Sequence, residues 1–328
     1  MTVPSPMLRA MAAAATVRTS TSPNPWVGCC LTTVDGHQYL GATEPPGGRH
    51  AERVALDAAL AAGATLTGAT VHVTLEPCSH HGRTPPCADA LVDAGVATVV
   101  VGTLDPDRRV AGTGVERLRR AGIAVEVLET PEVREQLAPY LHHRRTGRPF
   151  VVLKTASTLD GAVAALDGTS RWITGQVART EVHRLRAESD AVLVGAGTVR
   201  TDDPELTVRL CDGPSPRRVV LGTAPIGAKV HPCLEWDGPL AELLDRLGGE
   251  GVLQVLVEGG PRVAASFHEQ ELVDRYVLHL APALMGAGRP ALDGAATDTI
   301  ADLRRGTIVS TRRLGDDIEI VLEPERTP

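Results

Sequence analysis

His50-Ala51-Glu52 and Pro77-Cys78-Ser79-His80-His81-Gly82-Arg83-Thr84-Pro85-Pro86-Cys87 are the two segments around which the N-terminal half of this chain is organised. One His and two Cys are ligands that Zn²⁺ accepts in a catalytic site, where a fourth coordination position stays open for water. His50 opens an Ala- and Leu-rich helical segment, Cys78 follows an apolar run, and Cys87 comes after Pro-Pro, where a new helix begins. The pattern predicts a zinc site at His50, Cys78 and Cys87; reduced core thiols are the alternative.

Glu52 lies two residues after His50 and is not needed as a zinc ligand. Placed one step along the same helix, its carboxylate is suited to carry protons between water and a substrate nitrogen. The His-x-Glu and later Pro-Cys arrangement resembles that of the zinc deaminases, which replace an amino group with water-derived oxygen. Glu52 is therefore predicted to be the catalytic proton carrier of a hydrolytic deamination.

A closer resemblance is carried by residues 76–87, EPCSHHGRTPPC. This segment resembles the deaminase domain of the bifunctional riboflavin-biosynthesis deaminase/reductase family, in which the two Cys are separated by a longer loop than in the generic zinc deaminases. Further matches lie at residues 23–28 (PNPWVG), 154–161, 170–174 (SRWIT), 202–209 and 256–261 (LVEGGP). The resemblance therefore extends over almost the whole chain.

The composition predicts a folded two-domain protein and disfavours nucleic acid as a partner. The chain has 328 residues, of which 43% are hydrophobic and 2% aromatic, and its net charge is −7. Few aromatic side chains and an acidic balance argue against base stacking and against a broad phosphate-binding surface. No signal peptide or transmembrane helix is expected. The other cysteines, Cys29, Cys30, Cys211 and Cys233, are expected to be reduced thiols of a cytoplasmic protein.

Strand and helix signals alternate in both halves, which predicts an α/β fold for each. The N-terminal half is expected to contain helices at 5–18, 49–63, 88–94, 115–121 and 129–141, and strands at 26–34, 37–43, 69–75, 97–101 and 123–128. The basic run 142–149 is expected to be a solvated linker, with a nucleic-acid-binding arm as the alternative. The predicted domains are therefore residues 1–146 and 147–328.

The C-terminal half is expected to end in an antiparallel hairpin. Its predicted strands are 150–155, 191–195, 217–221, 252–257, 273–281 and the runs within 307–322, and its predicted helices are 176–186, 239–247 and 262–270. An extra strand after Cys233, which longer relatives have, is not evident. The resemblance implies the specific folds: a cytidine-deaminase-like α/β/α sandwich followed by a dihydrofolate-reductase-like α/β domain.

The resemblance also implies substrate contacts in the first domain, from Asn24, His80 and Arg83. A turn-forming Asn before Pro and a solvated loop are the alternative interpretations. Many relatives carry a His shortly before His-Ala-Glu, where this chain has no His. Thr43 or Glu44 is expected to replace that contact.

In the second domain, Val257-Glu258-Gly259-Gly260-Pro261 joins a buried strand to a helix start, where free N–H groups suit a phosphate. By resemblance, the NADPH contacts are Ala156, Trp172, Thr198, Asp202, Leu206, Gly260, Pro261, Arg262 and Ser266. The implied substrate contacts are Ser170, Arg186, Arg209 and Glu258, with the two Arg expected on the same phosphate. Lys154 and Asp202 are implied to assist the reduction, and a structural salt bridge is the alternative.

The implied function is two-step riboflavin biosynthesis on a small-molecule substrate, with Zn²⁺ and NADPH as cofactors. The first step is hydrolytic deamination of 2,5-diamino-6-(5-phosphoribosylamino)pyrimidin-4(3H)-one, and the second is reduction of its ribosyl side chain to ribityl. One alternative is a deaminase whose second domain only binds a ligand or mediates assembly. Another is a nucleic-acid editing deaminase. A homo-oligomer is expected, without nucleic-acid or membrane partners.

Overall fold

The computed structural model describes residues 3–79, 85–107, 110–295 and 297–325. The chain forms two compact units, Met1–Gly147 and Arg148–Pro328. Within these described ranges, no helix combines the length and the apolar character that crossing a membrane requires.

The N-terminal unit is a five-stranded sheet with helices packed against it. Its strands are β1 (Gly28–Thr32), β2 (Gln38–Ala42), β3 (Thr70–Leu75), β4 (Thr98–Thr103) and β5 (Ala124–Val127). The spatial order is β2-β1-β3-β4-β5, with β1 antiparallel to both of its neighbours and β3, β4 and β5 parallel. The helices are α1 (Ser5–Thr16), α2 (Ala51–Ala61), α3 (Cys87–Asp93), α4 (Thr113–Arg120), α5 (Pro131–Gln136) and α6 (Ala138–Thr146).

Small side chains let α1 lie close to the sheet. Ala10 and Ala14 of α1 are fully buried, and a Cβ added to Gly28 of β1 would fall 1.8 Å from the carbonyl oxygen of Ala10. At the other end of this layer, the indole Nε1 of the buried Trp26 donates a hydrogen bond to the carbonyl oxygen of Gln136, at 3.0 Å. The core is thus built mainly from Ala, Val and Leu, with Trp26 and Tyr140 as buried aromatic residues.

The basic connector predicted at 142–149 is wrong, because helix α6 continues to Thr146. Tyr140, Leu141 and His143 are buried on this helix, so burial stabilises a segment whose charges suggested a linker. The helix predicted at 129–141 is divided in two, since Pro139 lies in the first turn of α6, where a missing backbone N–H costs nothing. Gly147, with φ of 75°, ends α6 in the left-handed conformation.

The C-terminal unit is an eight-stranded sheet. Its strands are β6 (Phe150–Thr158), β8 (Ala191–Gly195), β9 (Arg217–Leu221), β10 (Leu234–Trp236), β11 (Gln254–Val257), β12 (Arg275–Ala281), β14 (Gly306–Leu314) and β15 (Asp317–Pro324), and β7 (Ala162–Ala164) pairs separately with β13 (Arg289–Pro290). The helices are α7 (Gln176–Ala187), α8 (Ala196–Asp202), α9 (Leu240–Gly249), α10 (Pro261–Glu269) and a 3₁₀ turn, Ile300–Asp302.

The strand order β10-β9-β8-β11-β6-β12-β15-β14 explains where this unit can bind a ligand. The first six strands are parallel, β15 is antiparallel to its neighbour β12, and the edge strand β14 is antiparallel to β15. The predicted α/β class with an antiparallel edge is confirmed for this unit. Ligands of such sheets bind beyond the carboxyl ends of the parallel strands.

Helix α8 and strand β10 are among the elements of this unit that were not predicted. Helix α8 contains Thr198, Val199 and Thr201, which have low helix propensity, and it forms where Ala196 and Val199 are buried. Strand β10 is the extra strand that the sequence did not reveal after Cys233. It has only three residues, so an alternating pattern is too short to recognise, and it pairs with the edge of β9.

Replacement of Gly28 by Ala is expected to lower the free energy of unfolding of the N-terminal unit by about 3 kcal/mol or more, because the added Cβ meets backbone atoms of α1 and not a movable side chain. Denaturant unfolding followed by circular dichroism measures this. Gly249→Ala is the control, since nothing lies within 4 Å of its added Cβ. Equal stabilities of the Gly28 variant and the parent would contradict the close packing of α1 on β1.

Candidate functional site

Three potential zinc ligands meet at two helix starts in the N-terminal unit. His50 immediately precedes α2, Cys87 is the first residue of α3, and Cys78 lies just beyond β3. The Nδ1 atom of His50 lies 3.6 Å from Sγ of Cys78 and 3.3 Å from Sγ of Cys87, and all three donor atoms lie within 4.8 Å of one another. Zinc bonds of ordinary length place tetrahedral N and S donors roughly 3.5 to 3.8 Å apart, so the donor set fits one Zn²⁺.

The surroundings of Cys78 favour its thiolate form, which zinc ligation requires. A hydrogen bond with the Cys87 thiol, together with the adjacent His50 ring, lowers the pKa of Cys78 to about 4. The backbone N–H of Cys87 also donates to Sγ of Cys78 at 3.3 Å. The start of α3 therefore supplies both a ligand and a donor that fixes the other sulfur.

Glu52 lies in the first turn of α2 and only 4% of it is exposed. Burial and the nearby Cys78 raise the pKa of its carboxyl to about 7. A carboxyl group with a pKa near neutrality can both accept and release a proton under working conditions. The position and the burial of Glu52 are thus suited to proton transfer beside the three ligands.

Glu76, which the sequence analysis did not single out, holds the loop beside the cysteines. Its buried carboxylate accepts hydrogen bonds from the backbone N–H groups of Asp105, Gly112, Gly114 and Val115, at 2.9–3.3 Å. The sequence contains one signal for this structural role of Glu76, because an acidic residue directly follows the apolar segment that forms the buried strand β3. Such a residue must find donors, but the sequence does not reveal that backbone groups some thirty residues away supply them.

The remaining residues predicted for this unit are only partly described. Asn24 is half-buried in the turn before β1, whereas His80 and Arg83 lie outside the described residues. Thr43 and Glu44, the expected replacements for the missing His, both have other partners. Oγ1 of Thr43 accepts a hydrogen bond from the backbone N–H of Val27, and the carboxylate of Glu44 binds Arg49.

The C-terminal unit contains a cleft of about 1190 Å³ at the carboxyl ends of β6, β8 and β11. All the residues predicted for cofactor binding, substrate binding and catalysis in this unit line the cleft except Ser266. Ser266 lies further along α10 and donates its hydroxyl to the carbonyl oxygen of Arg262, at 3.0 Å. Gly260 immediately precedes α10, so free N–H groups of that helix start face the cleft.

Two predicted substrate contacts, Arg186 and Glu258, bind each other. The guanidinium of Arg186 donates to both oxygens of Glu258, at 2.6 and 2.9 Å, and to the carbonyl oxygen of Thr207. Burial alone would raise the pKa of Glu258, but Arg186 and the buried Lys154 hold it below its usual value. Burial lowers the pKa of Lys154 itself. The salt bridge beside Lys154 joins Arg186 to Glu258, and Asp202 pairs with Arg171, so the structure does not show the salt bridge between Lys154 and Asp202 that was the alternative prediction.

Arg209 differs from Arg186, although the two were predicted to hold one phosphate. The side chain of Arg209 is 52% exposed and lies against Glu205 at 2.6 Å. Its backbone N–H donates to Nδ1 of His183, at 2.9 Å, so the segment is fixed while the guanidinium faces the cleft. Of this pair, Arg209 is the cation more accessible to a ligand.

The sequence analysis also missed Arg171 and Arg179, which line the same cleft. Arg171 donates to the carbonyl oxygen of Asp202 at 2.8 Å, and its Nη2 lies 3.3 Å from Oδ1 of Asp202. The guanidinium of Arg179 lies 4.5 Å from the ring centre of Trp172. These two cations flank predicted cofactor contacts; Arg171 lies within the SRWIT segment, which could have indicated it, whereas Arg179 lies outside the quoted segments.

Comparison with known proteins identifies both units. Residues 5–103 match the family model of the cytidine and deoxycytidylate deaminase zinc-binding region, and residues 149–320 match that of the RibD C-terminal domain. The riboflavin biosynthesis protein RibD of Mycobacterium tuberculosis is 40% identical over 321 residues, which cover 93% of each chain. That of Corynebacterium ammoniagenes is 44% identical over 304 residues, 89% of each chain. The chain belongs to the RibD family.

Solved RibD structures agree with this fold over nearly their whole length. The Thermotoga maritima diaminohydroxyphosphoribosylaminopyrimidine deaminase/5-amino-6-(5-phosphoribosylamino)uracil reductase has a TM-score of 0.90 and 34% identity, with 97% of each chain covered. Acinetobacter baumannii RibD has a TM-score of 0.89 and 36% identity, with 98% of each chain covered. The predicted family and the predicted two-part fold are therefore confirmed.

Membership of the RibD family makes this chain an enzyme with a deaminase domain and a reductase domain. The predicted cofactors, Zn²⁺ and NADPH, are confirmed at the level of the two domains, and the His50, Cys78 and Cys87 cluster supplies a donor set for the zinc. The roles of individual residues stay predictions.

Cys78→Ser and Cys87→Ser are each expected to reduce the zinc content by about one ion per chain, because a hydroxyl is a much poorer zinc ligand than a thiolate. Atomic emission measurement on the purified variants gives the metal content. Cys211→Ser, in the other unit, is the matched control and should retain the parent's content. A full zinc content in both site variants would refute this ligand set.

Proposed function

We propose that this enzyme deaminates 2,5-diamino-6-(5-phosphoribosylamino)pyrimidin-4(3H)-one and then reduces the ribosyl side chain to ribityl. Residues 1–146 form the deaminase domain and residues 147–328 the reductase domain. The deamination step is supported chiefly by one observation: the side chains of His50, Cys78 and Cys87 lie close together near the buried Glu52. The cleft that begins at the Gly260 helix start supports the second.

In the deamination, water adds to the amino-bearing carbon, the carbon–nitrogen bond breaks and ammonia leaves. Bound Zn²⁺ supplies acidity, since it lowers the pKa of water enough to give a nucleophile near neutral pH. Glu52 takes the proton from water and gives it to the departing nitrogen, for which a pKa of about 7 is well placed. Asn24, His80 and Arg83 bind the pyrimidine and its ribose phosphate.

In the reduction, NADPH supplies the hydride, and the protein supplies position and charge. Gly260, Pro261 and Arg262 at the start of α10 receive the cofactor phosphate. Ala156, Trp172, Thr198, Asp202 and Leu206 border the rest of the dinucleotide, and Ser266 supports the helix from outside the cleft. All of these residues except Ser266 line the cleft.

The ribose phosphate of the substrate is held by Arg209 and Ser170, which line the same cleft. Arg186 acts through Glu258: its two hydrogen bonds hold that carboxylate in place and help to keep its pKa below the usual value. Lys154, buried in the cleft wall, assists opening of the ribose ring by proton transfer to its oxygen, and Asp202 borders the same space. Because Arg186 is already paired, loss of Arg209 is the more direct test of phosphate binding.

We further propose a homo-oligomer and a cytoplasmic location. Strand β14 forms the edge of its sheet and exposes Ile308 and Val309, and an exposed edge of this kind supports pairing with another chain. All six cysteines are free thiols, which supports a reducing compartment.

Glu52→Gln is expected to keep the parent's zinc content while it lowers the rate of ammonia release by about 10²-fold or more, because the amide cannot carry a proton. Zinc content and ammonia are measured on the same sample. Glu116→Gln, an exposed position on α4, is the matched control. Near-parental ammonia release by the Glu52 variant would remove this residue from the mechanism.

Arg209→Ala is expected to lower kcat/KM of the reduction about 10- to 150-fold, the effect of losing one charge-assisted contact of roughly 1.5–3 kcal/mol. NADPH oxidation is followed with the deaminated substrate supplied directly. Ammonia release from the first substrate should be unchanged, and Arg313→Ala on the exposed strand β14 is the control. Parental reduction kinetics would exclude Arg209 from phosphate binding.

A further inference from the structure

A second cluster of metal-ligand side chains lies in the reductase unit, apart from the zinc site of the deaminase unit. His231, Cys233 and Glu235 bring an imidazole nitrogen, a thiol sulfur and a carboxylate oxygen within 4.8 Å of one another. We propose that these three residues bind a structural Zn²⁺ ion. All three are accessible or partly accessible to solvent, so an ion can enter and water can complete a tetrahedral shell.

Two of these ligands lie on one face of the extended segment at β10: Glu235 is in the strand, and Cys233 immediately precedes it. Cys233 and Glu235 are two residues apart, and side chains at that spacing point to the same side of an extended chain. Leu234 and Trp236 point to the other side, where they pack against the hydrophobic core of the unit. The core contacts therefore fix the strand in the orientation that directs the sulfur and the carboxylate outward together.

The ring of His231 is oriented for metal binding. Nε2 lies 3.1 Å from the carbonyl oxygen of Pro225, an acceptor only, so Nε2 carries the proton and Nδ1 keeps its lone pair. Nδ1 is the atom that faces the thiol, 3.5 Å from Sγ of Cys233. A carbonyl that accepts from the second ring nitrogen is the usual support of a zinc-bound histidine.

Glu235 is held in a similar way. Its Oε1 accepts a hydrogen bond from the backbone N–H of Ala224, at 2.9 Å, so the carboxylate is anchored before an ion arrives. A thiolate, a carboxylate and a neutral imidazole together carry two negative charges, which one Zn²⁺ neutralises. Mixed S, N and O donors of this kind suit zinc and exclude Mg²⁺ and Ca²⁺, which take oxygen ligands.

The position indicates what the ion would do. The chain between β9 and β10 supplies Thr223 and Lys229 to the lining of the cofactor cleft. Lys229 also binds Asp203, another lining residue, through its backbone N–H and its ammonium. The ion would connect β10 to the end of this segment. The hydrogen bonds from His231 to Pro225 and from Ala224 to Glu235 would connect the ion's ligands to the beginning of the segment. It would thus brace one wall of the cleft.

Cobalt binding tests the site in the full-length chain. In the Cys78→Ser/Cys87→Ser variant the deaminase thiolates are gone, so a near-ultraviolet thiolate-to-Co²⁺ absorption band must come from another cysteine. The variant is expected to bind about one Co²⁺ with this band, and Zn²⁺ should displace it. Adding Cys233→Ser should abolish the band, whereas adding Cys211→Ser, a partly exposed cysteine of the same unit, should leave it intact.

Absence of the band in the Cys78→Ser/Cys87→Ser variant, or its persistence after Cys233→Ser, would overturn the proposal. Hydrogen exchange provides a second readout in the otherwise unmodified protein: Zn²⁺ should slow amide exchange in residues 222–236, and Cys233→Ser should remove that protection. Equal exchange with and without Zn²⁺ would also count against the site. Neither readout depends on deamination or reduction, so failure here would leave the proposed enzyme function standing.

Discussion

Three donor atoms that come from distant parts of the chain must meet at one point, and the deaminase unit is built around that requirement. His50 precedes α2 and Cys87 begins α3, so two helix starts converge beyond the end of β3. The buried carboxylate of Glu76 gathers four backbone N–H groups beside this point and holds the neighbouring loop. A Cβ added to Gly114, in the first turn of α4, would lie 2.0 Å from the carbonyl oxygen of Pro77, so Pro77 packs closely against the start of this helix.

In the reductase unit, the constraint is that charged side chains are partly buried beside a large open cleft. Lys154 and Glu258 are half-buried, and Arg186 holds the pKa of the Glu258 carboxyl below its usual value through two hydrogen bonds. A buried pair of this kind is costly when one partner is lost. Arg209, whose side chain is still accessible, is therefore a better candidate for phosphate binding than Arg186, which is already paired with Glu258.

Most of the fold, and the three side chains that meet as candidate zinc ligands, could be predicted from the sequence because their signals are local. The His-x-Glu helix start, the Pro-Cys strand end, and the Asp35-Gly36 turn between the antiparallel β1 and β2 can each be recognised within a few residues. The pairing of Arg186 with Glu258 and the role of Glu76 could not, since both depend on contacts across many residues. Strand β10 was missed because three residues carry no period, and the second half of α6 because its basic residues concealed a buried face.

The central claim is that two separate chemical steps occur in the two units, and one incubation tests it directly. Purified zinc-loaded enzyme is given the phosphoribosylamino-pyrimidine substrate with and without NADPH, and ammonia and NADPH absorbance are followed separately. Ammonia should appear in both reactions. In the reaction that contains NADPH, the cofactor should be oxidised in step with the release of ammonia. Ammonia without NADPH oxidation, even with the deaminated compound supplied, would contradict a working reductase, and absence of ammonia would contradict the zinc site.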